Sequence, residues 1–177
     1  LYGPQGTGVL LCGENGPVRT LLEGGTGSLS MQQEMPDFLP DRLEAGTHNM
    51  PGIAGLLAGV RFVKQRGMAN ILDHERRLTL LAAEGIRMFP GAKVLAMPGL
   101  REQAGVLSFV PLKKDVEEVG TRLAEQGIAV RTGLHCASFA HKSAGTLDTG
   151  TVRVSFSDFN TRSEVYRLLT ALHDLLH

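Results

Sequence analysis

Apolar residues recur at helical spacing in two adjoining segments of the first half of the chain. The segment 51–65 opens with a proline, which suits a first helical turn. Its apolar residues form one stripe: Ile53, Leu56, Leu57, Val60 and Val63. A second amphipathic pattern runs from 68 to about 88 and stops at Pro90. The two patterns predict two helices, the first of them well buried, and a domain boundary at about residue 90.

The first forty residues lack a helical period. Apolar runs at 8–12 and 18–22 flank a turn signal at 13–16, which predicts a β-hairpin. The glycine- and proline-rich stretch that follows predicts a long loop, and loops of such length are usually binding or interface loops. Two short strands offer too little sheet to cover both helices. We therefore expect exposed apolar surface on the helices and a chain that is the later portion of a larger protein.

Strand and helix patterns alternate after residue 90. Strands are predicted at 94–97, 106–110, 128–131 and 151–155, and helices at 115–126 and 161–176. The last helix is well marked because its leucines repeat at helical spacing and Asn160 or Thr161 can cap it. This half predicts a small α+β domain.

Composition narrows the classes of function. The 177 residues are 42% hydrophobic, enough for one ordinary domain or two small lobes. Lysine plus arginine equals aspartate plus glutamate at 18 each, so no basic field favours nucleic acid or an acidic membrane as a partner. Apolar runs fall short of the roughly 20 residues that span a bilayer. Cys12 and Cys136 do not have the spacing of a disulfide framework, which favours a reduced, cytoplasmic protein.

Cys136 is the candidate nucleophile. It follows a predicted strand, with no helix predicted after it, so it should lie on a loop at a strand end, where reactive side chains are common. His135 and Arg131 can supply positive charge that favours the thiolate. The alternative is a buried cysteine that acts as a small hydrophobe. Cys12, within an apolar run, fits that alternative and receives no role.

Two other patterns are candidate binding sites. Alternation along 151–155 places Arg153 on the face opposite Val152 and Val154, either as an exposed strand residue or as a clamp for a carboxylate. The segment Gly24-Gly25-Thr26-Gly27-Ser28 can contact a phosphate through amides and a hydroxyl, although it lacks the full P-loop and dinucleotide motifs. The histidines do not pair at metal-ligand spacing, so no metal site is predicted.

Five segments, taken in order, resemble those of the pyridoxal-phosphate enzymes of the class V aminotransferase family, particularly the cysteine desulfurase and selenocysteine lyase branch. They are 1–8 (LYGPQGTG), 24–28 (GGTGS), 44–49 (EAGTHN), 131–137 (RTGLHCA) and 150–155 (GTVRVS), the last followed by 159–161 (FNT). The resemblance implies a fold of α/β and α+β type. Residues 1–90 would be the end of the large cofactor-binding domain with its exit helix, and 91–177 the small C-terminal α+β domain.

The resemblance also implies roles for individual residues. Cys136 matches the cysteine that forms a persulfide. Arg153 matches the arginine that anchors the substrate α-carboxylate, and Arg131 matches a second arginine of that pocket. Thr26, with Gly25 beside it, resembles the residue that reaches the cofactor phosphate of the neighbouring subunit. His135, as the neighbour of Cys136 in an extended segment, would point to the opposite face and is not expected to take part directly.

The implied cofactor is pyridoxal 5'-phosphate, and the lysine that attaches it would precede Leu1. The implied substrate is L-cysteine or selenocysteine, and the implied partners are a second subunit in a homodimer and a sulfur-acceptor protein. Leu134 and Ser138 stand where many members of the branch carry histidine and proline. That departure leaves open another lyase or transaminase of the family, or a non-catalytic fragment that acts in dimerisation.

Overall fold

The computed structural model describes residues 1–13, 19–29, 31–97 and 102–176. The chain forms two compact units, Leu1–Arg66 and Gly67–His177. This division falls before the second long helix, whereas the sequence predicts a domain boundary after it. The first unit contains a one-turn 3₁₀ helix, Asp41–Leu43, and the helix α1, Met50–Arg66.

The second unit contains the remaining helices and all the strands found in the described residues. In chain order these are α2 (Met68–Arg87), β1 (Ala92–Leu95), β2 (Val106–Pro111), α3 (Val116–Glu125), β3 (Arg131–Gly133), α4 (Ser138–Ala144), β4 (Thr151–Ser155) and α5 (Arg162–Leu176). Helix α3 starts where the Asp115 carboxylate accepts hydrogen bonds from the Glu117 and Glu118 amides, at 2.8 and 3.3 Å.

Two predictions for the first unit are wrong. Residues 8–13 and 19–22 form no strand, and the rest of the predicted hairpin lies outside the described residues. Leu11 is 89% exposed, so its run lacks the apolar packing that a two-stranded hairpin needs. Helix α1 is also not well buried, because Leu56 is 8% exposed while Ile53 and Leu57 are nearly half exposed.

The buried face of α1 is built on glycine instead of on the apolar stripe. Gly52 and Gly59 are buried beside Leu56. A Cβ on Gly59 would lie 2.3 Å from the carbonyl oxygen of Leu1, so the N-terminal segment passes directly against the helix backbone. A larger side chain at this position would separate the two segments.

The sheet of the second unit is antiparallel throughout, with the strand order β1-β2-β4-β3. One face packs on helices α2, α3 and α5 and forms the core. The fully buried residues of that face and its helices include Leu78, Ile86, Leu107, Phe109, Val119, Leu123, Val152 and Leu172. The opposite face carries the side chains that alternate with them, Arg153 among them, as the sequence predicts.

Most elements of the second unit are confirmed, with three corrections. Strand β1 covers Ala92–Leu95, two residues earlier than the predicted 94–97. Strand β3 begins at Arg131 and does not cover 128–131, because only 131–133 align with β4. Helix α4 was not predicted after Cys136, since its seven residues, SFAHKSA, bury only His141 and show no apolar period. The mixed α/β and α+β class is confirmed.

Candidate active site

A row of polar side chains crosses the open face of the sheet. Arg153 on β4 lies opposite Arg131 on β3 and opposite Ser108 on β2. Like charges at directly opposed strand positions repel each other, and a bound anion between them removes that repulsion. The Nε of Arg153 is buried and has no hydrogen-bond partner within the described part of the chain. The row is therefore suited to a carboxylate.

A cleft of about 350 Å³ lies over this row. Its lining includes Leu95, Ser108, His135, His141, Thr151 and Arg153. His135 and Ala137 both line the cleft, and Cys136, which lies between them in the chain, does not. Its side chain is exposed. The structure thus brings Arg153 into the cleft and Cys136 next to it.

The loop that carries Cys136 is sharply turned. His135 and Cys136 have φ angles of 51° and 58°, in the left-handed region that side chains other than glycine rarely adopt. The Ala137 amide closes the turn by donating to the Leu134 carbonyl at 2.8 Å. The segment is therefore not extended, which removes the premise on which His135 is expected opposite Cys136, although His135 lines the cleft and Cys136 does not.

The turned loop brings Cys136 to Arg131. The Nη2 atom of Arg131 lies 3.8 Å from the Cys136 sulfur, within the range of a hydrogen bond to sulfur. This contact places the positive charge of the guanidinium directly beside the sulfur. Cys12 has no such contact among the described residues, but it is exposed, so its interpretation as a buried hydrophobe is wrong.

Four residues of the cleft were not predicted as site residues: His135, Thr151, His141 and Thr146. His135 Nε2 lies 2.8 Å from the Thr151 hydroxyl, and its Nδ1 is buried without a partner among the described residues. Burial lowers the pKa of His135 from 6.5, and the nearby Arg153, His141 and Arg131 lower it further. His141 bonds through Nδ1 to the Thr146 hydroxyl at 2.9 Å. No local sequence pattern indicates either hydrogen bond. The bond between His135 and Thr151 joins a loop to β4, and the bond between His141 and Thr146 depends on α4, which is not predicted.

Thr26 and Gly25 belong to the first unit. The Thr26 and Ser28 hydroxyls are 2.9 Å apart, and the Gly25 carbonyl accepts from the Gly46 amide. They border a concavity of about 340 Å³ that also includes the carboxylates Glu23 and Glu34. Hydroxyl and amide donors fit a contact with phosphate oxygens, whereas the carboxylates oppose binding of a dianion. These residues suit a supplementary contact to a phosphate held chiefly by other groups.

No group of three or more histidine, cysteine, aspartate or glutamate side chains among the described residues could hold a metal ion. No helix in the described ranges is long and apolar enough to cross a membrane.

Comparison with known proteins gives one family. The model of the aminotransferase class-V family matches residues 1–168. A probable cysteine desulfurase 2 of Mycobacterium leprae is 31% identical over 176 residues, which cover 97% of this chain and 42% of that protein. A cysteine desulfurase of Escherichia coli O8 (strain IAI1) is 36% identical over 185 residues, with the same two coverages. The chain thus spans about 42% of the length of these relatives.

Solved structures agree with the sequence comparison. The apo cysteine desulfurase of Thermococcus onnurineus NA1 superposes with a TM-score of 0.73 and 34% identity, over 77% of this chain and 34% of that one. The cysteine desulfurase CsdA of Escherichia coli, in its S-sulfonic acid form, gives a TM-score of 0.68 and 32% identity, over 78% and 34% of the two chains. With a family model that matches nearly its whole length, the chain belongs to the class V aminotransferase family.

Proposed function

We propose that this chain is part of a pyridoxal-phosphate-dependent cysteine desulfurase, which converts L-cysteine to alanine and leaves a persulfide on Cys136. The observation that carries the proposal is the 3.8 Å contact between Arg131 and the Cys136 sulfur, beside the cleft that Arg153 lines. The relatives named cysteine desulfurases support it, because their similarity covers 97% of this chain.

The arginines would bind the substrate carboxylate. Arg153 is half-buried in the cleft wall, and its Nε is a donor that has no acceptor among the described residues. A guanidinium offers two parallel N–H groups to a carboxylate, which fixes the orientation as well as the position of an amino acid. Arg131, opposite Arg153 on the neighbouring strand, adds positive charge to the same face.

Cys136 would accept the sulfur. Its thiolate attacks the substrate sulfur, so that an S–S bond forms while the Cβ–S bond breaks. The electron pair of the broken bond stays with the carbon fragment, which takes up a proton and leaves as alanine. The persulfide on Cys136 is then passed to an acceptor thiol, for which the exposure of Cys136 gives access.

Pyridoxal phosphate, when bound, supplies an electron sink at the substrate α-carbon. Thr26 and Gly25 would give its phosphate a hydroxyl and an amide contact, across the subunit boundary of a homodimer. None of the lysines of the chain lies in a segment similar to the family's attachment site; they are Lys64, Lys93, Lys113, Lys114 and Lys142. The attachment lysine is therefore expected outside these 177 residues. Selenocysteine is a further expected substrate, and a sulfur-acceptor protein is an expected partner.

Two variants test the role of Cys136. In the protein expressed from its complete reading frame and supplied with pyridoxal phosphate, Cys136→Ser should abolish persulfide formation and alanine release from L-cysteine. Cys12→Ser is the matched control and should keep both, since Cys12 is equally a free, exposed thiol. Mass spectrometry of the trapped persulfide and an alanine assay measure the outcome.

The possible results separate the alternatives. If Cys136→Ser still releases alanine at the wild-type rate, the chain belongs to a lyase that does not use this thiol. If the wild-type protein binds the cofactor but releases no alanine from L-cysteine or selenocysteine, a transaminase or another lyase of the family becomes the better assignment. A protein that binds no cofactor would favour the non-catalytic, dimer-forming fragment.

A further inference from the structure

We infer that Thr151 and His135 are positioning residues that hold the Cys136 loop in its turned form and so keep the thiol beside Arg131. The inference rests on the proposed function, because it concerns the thiol that would carry the sulfur. It assigns a role to a buried strand hydroxyl that neither the sequence motifs nor the direct contacts of Cys136 indicate.

The loop needs a tether because its backbone is unfavourable. Two successive residues with side chains, His135 and Cys136, have positive φ angles. Such conformations persist only where surrounding contacts enforce them. The backbone supplies one constraint, the amide of Ala137 on the carbonyl of Leu134. The side chain of His135 supplies another, through its 2.8 Å hydrogen bond to the Thr151 hydroxyl.

Thr151 is a fixed anchor for that bond. It is 1% exposed and lies in β4, in register with Gly133 of β3. Because side chains alternate along a strand, Thr151 and Arg153 project from the same face, two residues apart. A bond to Thr151 therefore places the loop relative to the strand that carries Arg153, which would fix the distance between the sulfur-accepting and carboxylate-binding groups.

The bond also determines which way Cys136 faces. The His135 ring is directed to β4. Cys136, the next residue, then lies near β3, where Arg131 is 3.8 Å from the Cys136 sulfur. Loss of the bond would let the loop relax toward negative φ angles and carry the sulfur away from the guanidinium. The sulfur would then lose its contact with Arg131.

The experiment measures the alkylation of Cys136 by limiting iodoacetamide, with Cys12 as the internal reference in the same molecule. Thr151→Val keeps the shape of the side chain and removes its hydroxyl. It should slow alkylation of Cys136 relative to Cys12 by about tenfold, the order expected for the loss of one hydrogen bond. Thr151→Ser restores the hydroxyl and should recover the wild-type ratio.

A second threonine is the matched control. Thr79 in α2 is also buried, at 1% exposure, and its hydroxyl donates to the Glu75 carbonyl at 2.8 Å, away from the residues that line the cleft. Thr79→Val should leave the ratio of the two alkylation rates unchanged. If Thr151→Val does not fold, His135→Phe removes the same bond from the loop side and should give the same loss.

Several results would overturn the inference. It is wrong if Thr151→Val leaves the ratio unchanged, or if Thr151→Ser is as slow as Thr151→Val, since the effect would then come from packing. It is equally wrong if Thr79→Val slows the alkylation of Cys136 as much, because the effect would then be a general loosening of the fold. Thiol reactivity is read without cofactor or substrate, so its outcome is independent of whether Cys136→Ser abolishes the proposed activity.

Discussion

Three basic side chains surround the Cys136 loop on the open face of the sheet. Arg131 and Arg153 lie opposite each other on neighbouring strands, and His135 lies in the same cleft wall as Arg153. Both arginines lower the pKa of His135, after the larger effect of burial. The imidazole is therefore neutral near pH 7, and the positive charge of the site resides on the guanidinium groups.

This arrangement makes the second unit sensitive to mild acid. The pKa of His135 is lower in the folded state than its ordinary value of 6.5, so below that pH the unfolded chain binds more protons. The free energy of unfolding should fall as the pH drops from 6.5 toward the folded pKa of His135. In His135→Gln the decrease in the free energy of unfolding that comes from this histidine should be absent. Urea unfolding at several pH values measures it.

The wild type, unfolded over the same pH range, is the reference for that experiment. An unchanged pH dependence in His135→Gln would contradict the burial of a neutral imidazole in the cleft.

Some of the site can be derived from single residues and some cannot. The face that Arg153 occupies follows from the two-residue period of a strand, which is a local property. The direction of His135 depends on the hydroxyl of Thr151, sixteen residues further along the chain. The turn in this loop is not visible in the sequence, so reasoning from an extended segment does not apply to it. The contact of Arg131 with Cys136 depends on the same turn, although their separation of five residues marks Arg131 as a nearby charge.

Helices α3 and α5 carry side-chain capping signals at their first turns. At the start of α5 the Thr161 hydroxyl accepts from the Glu164 amide at 3.3 Å, and the Glu164 carboxylate accepts from the Thr161 amide at 2.7 Å. This reciprocal pair is a capping box. The Thr161 backbone N–H is the main cause that lowers the pKa of Glu164. The sequence pattern T-x-x-E therefore fixes where α5 begins.

Removal of this cap should destabilise the second unit. Thr161→Ala should lower the free energy of unfolding by about 1 kcal/mol, because an N-cap bond is lost and the first-turn amides are left without an acceptor. Thr170→Ala, at an exposed position within α5, is the control and should be neutral or slightly stabilising, since alanine favours helix. Urea unfolding gives both values. Equal losses in the two variants would mean that the cap contributes nothing.

At the scale of elements, length decides what can be predicted. Helices α2, α3 and α5 have ten or more residues and bury an apolar stripe, so the helical period is visible in the sequence. Helix α4 has seven residues and lacks such a stripe. The shift of β3 has another cause. The apolar run at 128–130 resembles a strand, but β4 pairs only with 131–133, and pairing is a property of two segments.

The two units differ in how well they bury apolar surface. The core of the second unit is continuous from the sheet to three helices. In the first unit, Leu11, Leu21 and Met31 are 89%, 92% and 100% exposed, and Leu56 is its one large aliphatic residue below 9% exposure among those described. Surfaces of this kind mark sites of contact with other protein. The shortage of sheet that the sequence indicates predicts such exposure on the two long helices, and there Ile53, Leu57 and Leu80 are 47%, 49% and 42% exposed.

These features lead to a prediction for the chain as a whole. The 177-residue chain, purified alone with pyridoxal phosphate, should release no alanine from L-cysteine and should bind a dye specific for exposed apolar surface. Its lysines lie outside any segment similar to the attachment site, so borohydride reduction should leave none of them carrying the cofactor. Absorbance, an alanine assay and peptide mass spectrometry check the three outcomes. Turnover, with the cofactor reduced onto one of the five lysines, would place the attachment residue within this chain and show that no second segment is needed for catalysis.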